Sequence, residues 1–180
     1  MTDYFALLGE ARRPWLEPEE LKEKYHAQAR AGSPNEELNE AFRVLSEPRL
    51  RLQHLLALEK IETPAGRAIP PEVAELFWRG GNVLRETESW LRRNAEASGQ
   101  LARAMLHPQR LKLNERLTSL ESGLNASHEA TLGRLQTLDA RWATRAPNDA
   151  AELIEIYDSL SYLARLRERA AEKRLQLELA

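Results

Sequence analysis

RAGSPNEELNEAF (residues 30–42) sets a glycine, a serine and a proline between two stretches of helical periodicity. Elementary stereochemistry reads it as a corner. Gly32 has no Cβ to clash, so it suits the left-handed backbone that ends many helices. Ser33 then stands at the N-cap, Pro34 at the first helical position and Glu36 at the third. With that Ser-x-x-Glu spacing the serine oxygen accepts from the residue-36 amide, and the glutamate reaches back to the serine amide. Losing such a cap costs about 1 kcal/mol. The stretch predicts two antiparallel helices with almost no loop between them.

The flanks agree with that reading. EPEELKEKYHAQARAG (17–32) has Pro18 near its first helical position and Leu21, Tyr25 and Ala29 at four-residue spacing. A short helix over Asp3–Leu8, stopping at Gly9, precedes it. Downstream, EELNEAFRVLS (36–46) carries Leu38, Phe42 and Leu45 on one stripe. SEPRLRLQHLLALE (46–59) restarts at Pro48, with Leu52, Leu55, Leu56 and Leu58 on its apolar side. KIETPAGRAIPP (60–71) holds three prolines and a glycine and cannot continue a helix. Three parts follow: residues 1–60 as a helical module, 61–71 as a linker and 72–180 as a C-terminal bundle.

The bundle is predicted from three longer stretches. The first runs from Pro71 to about Met105, and Gly80-Gly81 weakens its middle by roughly 1 kcal/mol per glycine, which suits a kink. Pro108, after His107, restarts the chain. Residues 113, 117, 120, 124, 131, 135, 138 and 142 then form a coiled-coil-like seam, interrupted only at Ser127–His128. His128 there is read as a register-setting or hydrogen-bonded residue. Asp149 and Glu152 have the capping-box spacing for a last helix whose stripe is Leu153, Ile156, Tyr157, Leu160 and Leu163. Three stripes that can shield one another predict an antiparallel bundle, so the fold class is all-α.

Composition narrows the function classes. The 180 residues carry 26 Lys and Arg against 28 Asp and Glu, a net charge of −2 that offers no general attraction to nucleic acid. The longest purely apolar run, LLAL (55–58), is far short of a bilayer span, and MTDYFALLGE has an acid where a signal peptide needs positive charge. The expectation is a soluble cytoplasmic protein. With no cysteine, thiolate catalysis and cysteine-held metal clusters are excluded. His26, His54, His107 and His128 share no ligand spacing, so no metal or cofactor is predicted. No phosphate-cradling glycine loop or nucleophile constellation appears, so the chain is read as a non-enzyme. The acids Glu17, Glu19, Glu20 and Glu23 complement a helix N-terminus. The cations of LARLRERAAEKR (163–174) read first as a solvated face and second as a partner surface.

DYFALLG, EELKEKYHAQARAGSPN and LNEAFRVLSEPRLRLQHLLAL together resemble the J-domain of DnaJ-type co-chaperones, and more narrowly HscB, the J-protein of iron–sulfur cluster assembly. DAAELIEIYDSLSYLARLRERAAEKRLQ is similar to the last helix of the HscB bundle. The resemblance implies a J-domain-like hairpin module followed by a three-helix antiparallel bundle, acting through protein partners: a DnaK-type chaperone and an iron–sulfur scaffold protein. J-domains trigger the chaperone's ATPase with His-Pro-Asp; this chain has Ser33-Pro34-Asn35 at that place. The chaperone-facing helix would offer Lys22, Tyr25, His26 and Arg30, a thin version of the family's basic face. The family's scaffold-binding patch, apolar and acidic, falls on AELFWRGGNVLRE (74–86). Leu76 and Phe77 keep its apolar character, while Arg79, Gly80 and Gly81 replace acids and helix formers. Trp78 is read either as a core residue or, if exposed, as an interface anchor. The resemblance thus implies an HscB-like co-chaperone relative that does not stimulate a DnaK-type ATPase. The alternative is a non-catalytic helical adaptor or structural protein reusing the scaffold.

Overall fold

The computed structural model describes residues 1–32, 36–63, 68–144 and 146–180. Among them are seven α-helices and no strand: α1 (Tyr4–Leu7), α2 (Pro18–Ala31), α3 (Glu36–Ser46), α4 (Pro48–Leu58), α5 (Pro71–Glu96), α6 (Gln100–Arg141) and α7 (Asp149–Leu179). A 3₁₀ turn, Trp142–Thr144, follows α6. The all-α class read from periodicity is the class observed. Contacts gather the chain into two compact units that do not follow its order: Met1–Ala68 with Thr131–Leu160, and Ile69–Ala130 with Ser161–Ala180. The sequence reading divides the chain by position, at 61–71. Packing instead assigns the end of α6 and the start of α7 to the first unit.

Helix starts in the first unit follow their local chemistry. The Asp3 carboxylate accepts from the amides of Phe5 (3.1 Å) and Ala6 (3.2 Å), capping α1, and Gly9 ends that turn at φ +66°. Pro18 and Pro48 begin α2 and α4, and the Glu47 carboxylate caps α4 by accepting from Arg49 N and Leu50 N. Gly32 departs from expectation: its backbone is extended, φ −131° and ψ 175°, and not left-handed. Its amide still closes α2 on the Gln28 carbonyl (3.1 Å), so the helix ends without a positive φ. The proposed cap at Ser33, Pro34 and Asn35 lies outside the described residues.

The first core joins Phe5, Leu8, Leu21, Leu38, Leu45, Leu52 and Leu55 to Leu135, Leu138, Trp142, Leu153, Ile156 and Leu160. Buried polar groups tie it across long stretches of chain. Arg51, 3% exposed, donates to the carbonyls of Pro14 (2.9 Å) and Leu45 (2.7 Å) and lies 5.7 Å from the Trp15 ring centre. Burial pulls its guanidinium down to about 10, still protonated at neutral pH. The buried Asp139 accepts from Arg13 Nε at 3.0 and 3.1 Å and from the Trp15 amide at 3.0 Å. His54 accepts from the Tyr4 amide (3.2 Å) and stacks on the Tyr4 and Phe5 rings.

Asp149 also differs from expectation. Its carboxylate turns back to accept from the Ala146 amide (2.9 Å) and Arg141 Nε (3.0 Å), and Glu152 pairs with the same guanidinium. The Glu152 amide goes to the Asn148 carbonyl (3.0 Å), so no capping box forms. A charged partner within reach outcompetes a neutral amide for the carboxylate.

In the second unit the predicted seam is realised. Leu113, Leu117, Leu120 and Leu124 are buried with Val73, Val83, Leu84, Trp90, Leu163, Leu166 and Ala170. The later seam residues, Leu135, Leu138 and Trp142, belong to the first core. The polar interruption at Ser127–His128 therefore falls where α6 passes from one core to the other. The helix break is not at Pro108, as the sequence predicted. α5 stops at Glu96, Gly99 turns the chain at φ +94°, and Pro108 lies inside α6. Glycine makes a positive φ inexpensive, whereas Pro108, in the third turn, costs α6 one backbone bond and some crowding at the carbonyl four residues earlier without ending the helix. Nor do Gly80 and Gly81 break α5, which is helical throughout. Gly80 is buried, and a Cβ there would come within 2.8 Å of Leu166 Cδ1. The glycine lets α7 approach α5.

Candidate functional site

Two surfaces hold the residues that the sequence singles out. On α2, Lys22, His26 and Arg30 fall at steps of four and are all exposed, so they share one stripe. Tyr25 is not with them. It is half-buried, its ring stacked 4.3 Å from Phe42 and its hydroxyl donating to Asn39 Oδ1 (2.7 Å), so it fastens α2 to α3. Lys22 is 3.7 Å from Glu19, and Arg30 Nε donates to the His26 carbonyl (3.2 Å). Glu19, Glu20 and Glu23 on α2 and Glu36 and Glu37 on α3 are exposed around them. The hairpin's described surface is of mixed sign, with carboxylates in the majority. Ser33, Pro34 and Asn35 are outside the described residues, so the geometry of that corner adds nothing to its sequence.

The second surface is built on the first half of α5. Leu76 and Phe77 are half-buried: Leu76 sits so close to Gly123 that a Cβ there would meet it at 2.9 Å, and Phe77 stands edge-on to Tyr162 with ring centres 6.2 Å apart. Trp78, left open between core and surface by the sequence, is 68% exposed. Arg79 is exposed as well, 3.8 Å from Glu75. Gly81 also lines this surface, adding no side chain to it, and α7 supplies the opposite wall. Phe77, Trp78, Arg85, Glu88, Arg169, Glu172 and Lys173 border the resulting groove, of about 460 Å³. Three cations stand against the two carboxylates of Glu88 and Glu172 there. An aromatic anchor projecting beside guanidinium and ammonium groups suits a protein partner with apolar and acidic side chains.

Whole-fold comparison adds a relationship. The chain aligns over 97% of its length with 83% of human co-chaperone protein HscB in its crystal structure, at a TM-score of 0.55 and 19% identity. It aligns over 98% of its length with 99% of the chaperone HscB from Vibrio cholerae, at a TM-score of 0.56 and 18% identity. The fold is that of HscB. No protein-family model matches the sequence, and no curated protein matches it. At such identities the HscB likeness concerns the backbone arrangement, and the side chains of each surface speak for themselves.

Within this HscB fold the histidines do not converge. His26 and His107 are exposed, His54 is buried in the first core and His128 is half-buried on α6. Among the described residues no group of three or more His, Cys, Asp or Glu is placed to hold a metal ion, and no helix is long and apolar enough to cross a membrane. Sequence reasoning offered the α7 cations as a partner surface only after a solvated face, and did not join them to Trp78. Gly81 and Arg85 follow Trp78 at helical spacing and were findable. Arg169 and Lys173 are about ninety residues away, and only packing brings them to the indole.

Proposed function

We propose that this chain is an HscB-like co-chaperone relative that works by protein–protein contact in the cytoplasm, without a working ATPase trigger. The observation that carries the proposal is the HscB fold over nearly the whole chain, joined to Ser33-Pro34-Asn35 in place of His-Pro-Asp. Asn35 removes the carboxylate, and with it a charge-assisted contact of roughly 1.5–3 kcal/mol to a chaperone. Ser33 removes the imidazole. On α2, Lys22, His26 and Arg30 face outward among the exposed carboxylates of Glu19, Glu20 and Glu23, which slow approach to an acidic partner. The groove around Trp78 is then the working surface, with Leu76, Phe77, Trp78 and Arg79 holding an iron–sulfur scaffold protein or another client. The exposed indole, with Arg85, Arg169 and Lys173 slightly outnumbering Glu88 and Glu172, favours a partner segment of apolar and partly acidic character.

The test is ATP turnover by a DnaK-type chaperone from the same cell, with this protein and with the double variant Ser33→His/Asn35→Asp. The unchanged protein should leave turnover at its basal rate, and the restored motif should raise it. Stimulation by the unchanged protein would overturn the absence of a trigger. Silence from both would favour an adaptor that uses the scaffold alone. Pull-down with wild type and Trp78→Ala should recover a scaffold or client that the variant loses at least about tenfold, equivalent to 1.4 kcal/mol.

A further inference from the structure

The end of the second unit where α5 gives way to α6 plays no part in the reading above, yet one side of α6 gathers positive charge there. Arg103, His107 and Arg110 follow one another at steps of four and three, so they stand in a row along about 10 Å of the helix. All three line a single groove of about 430 Å³, together with Ala104 and with Trp90 and Asn94 of α5. No Asp or Glu side chain belongs to its described lining.

Elsewhere in the chain Arg12, Arg13, Arg43, Arg116, Arg141 and Arg174 each hold a carboxylate. In this groove none of the three side chains has one within ion-pairing reach among the described residues, and those of Arg103 and His107 make no hydrogen bond there. Arg110 Nη2 donates to the backbone oxygen of Glu178 and Asn94 Nδ2 to that of Ala180, both at 3.3 Å. Bonds of that length are weak, so both donors are free to turn to a better acceptor. The Glu178 residue lines the adjoining groove with His107, Arg110 and Arg174. Its carboxylate offsets part of the charge at the Arg110 end, whereas Arg103 lies about two helical turns away.

We propose that this groove binds the phosphate group of a small molecule. Two guanidiniums, an imidazole and an amide offer more donors than a lone carboxylate can use. A phosphate dianion has the oxygens and the charge to share among them. Trp90 is 2% exposed, and its Nε1 donates to the Leu106 carbonyl (3.0 Å), so this part of the lining is fixed before any ligand arrives. Nucleic acid fits poorly: a short row of donors on a chain of net charge −2 gives no extended track for a polyphosphate backbone. The groove is separate from that around Trp78, and the proposal stands whether or not the chain serves a chaperone.

Isothermal titration calorimetry of the whole protein with inorganic phosphate, ribose 5-phosphate and plain ribose tests it. Either phosphate should saturate a single site while ribose does not bind, and the tighter of the two tells a free from an esterified ligand. Arg103→Gln and Arg110→Gln should each weaken the tighter one at least about tenfold, or 1.4 kcal/mol. Lys112→Gln, exposed on the same helix but outside the groove, should leave it unchanged. Arg103 is exposed, so circular dichroism and thermal unfolding of its variant should match the unchanged protein; His107→Gln serves if Arg110→Gln fails that check. No saturation, equal binding by the groove variants, or an equal loss with Lys112→Gln would overturn the proposal. So would a phosphoserine peptide that binds at least about tenfold tighter than ribose 5-phosphate.

Discussion

The two units bury their interiors by different means. The first encloses Arg51, His54, Asp139 and Asp149 among its leucines, each carrying hydrogen bonds to groups elsewhere in the chain. In the second, among the described residues, Thr87 is buried whole and its hydroxyl donates within its own helix to Val83 (2.9 Å), with the hydroxyl of Ser161 buried besides. The second unit's charges work at its surface. Arg174 donates to Glu121 (2.6 and 2.8 Å), Asn114 (2.8 Å) and Thr118 (3.0 Å) from α7 to α6. The difference follows from the elements available. Short helices such as α1 and the irregular chain around Pro14 leave carbonyls and amides that a helix cannot satisfy, and buried side chains must meet them. Long parallel-sided helices satisfy their own backbones and need only apolar stripes.

Each unit should therefore break in its own way. The largest effect is expected from Arg51→Met. Methionine fills the volume but leaves the Pro14 and Leu45 carbonyls without their donor, at about 2–5 kcal/mol. A urea titration followed by far-ultraviolet circular dichroism measures it, and a loss under 1 kcal/mol would mean that those carbonyls are met otherwise. Gly80→Ala should come next, at about 1–3 kcal/mol, because Leu166 must move to admit the methyl. The control Gly81→Ala meets nothing nearer than Arg85 Nη1 at 3.7 Å and should stabilise α5 slightly. Equal effects at the two glycines would deny the close approach.

The smallest effect is a pH dependence confined to the first unit. Burial holds His54 below its ordinary range, opposed by the nearby Asp3 carboxylate. The unfolded chain then takes up the proton more readily than the native one. The stability that His54 contributes is complete above the ordinary histidine value of about 6.5 and declines as the pH falls through it. His54→Gln keeps an acceptor for the Tyr4 amide and removes the titration. Thermal unfolding at a series of pH values should show a shallower decline below neutrality for the variant than for wild type. Identical slopes would assign the acid sensitivity elsewhere.

Much of the helical frame was legible because it rests on spacing. The seam from Leu113 to Trp142 and the prolines opening α2, α4 and α5 follow from rules that act within a few residues. The errors came where two local signals competed. Pro108 and Gly99 both punctuate helices, and the sequence reading chose the wrong one. Gly80 looked like a weak point, since nothing nearby in the chain announces Leu166. Asp149 looked like a cap because Arg141 was not known to face it. The site was legible in part. Leu76, Phe77 and Trp78 stand out in α5, but whether the indole faced core or water depended on where α7 lay. Arg13 and Asp139, 126 residues apart, leave no periodic trace at all.

The first core is closed by Leu135, Leu138, Trp142, Leu153, Ile156 and Leu160, all from the far half of the sequence. On a ribosome the amino-terminal helices emerge first and must wait, with Phe5, Leu45 and Leu55 only partly covered, until the chain has been made through Leu160. Cutting the chain after residue 68 would leave a sticky fragment in place of a free-standing module. The amino-terminal helices and the end of α6 with the start of α7 are thus obliged to be inherited together.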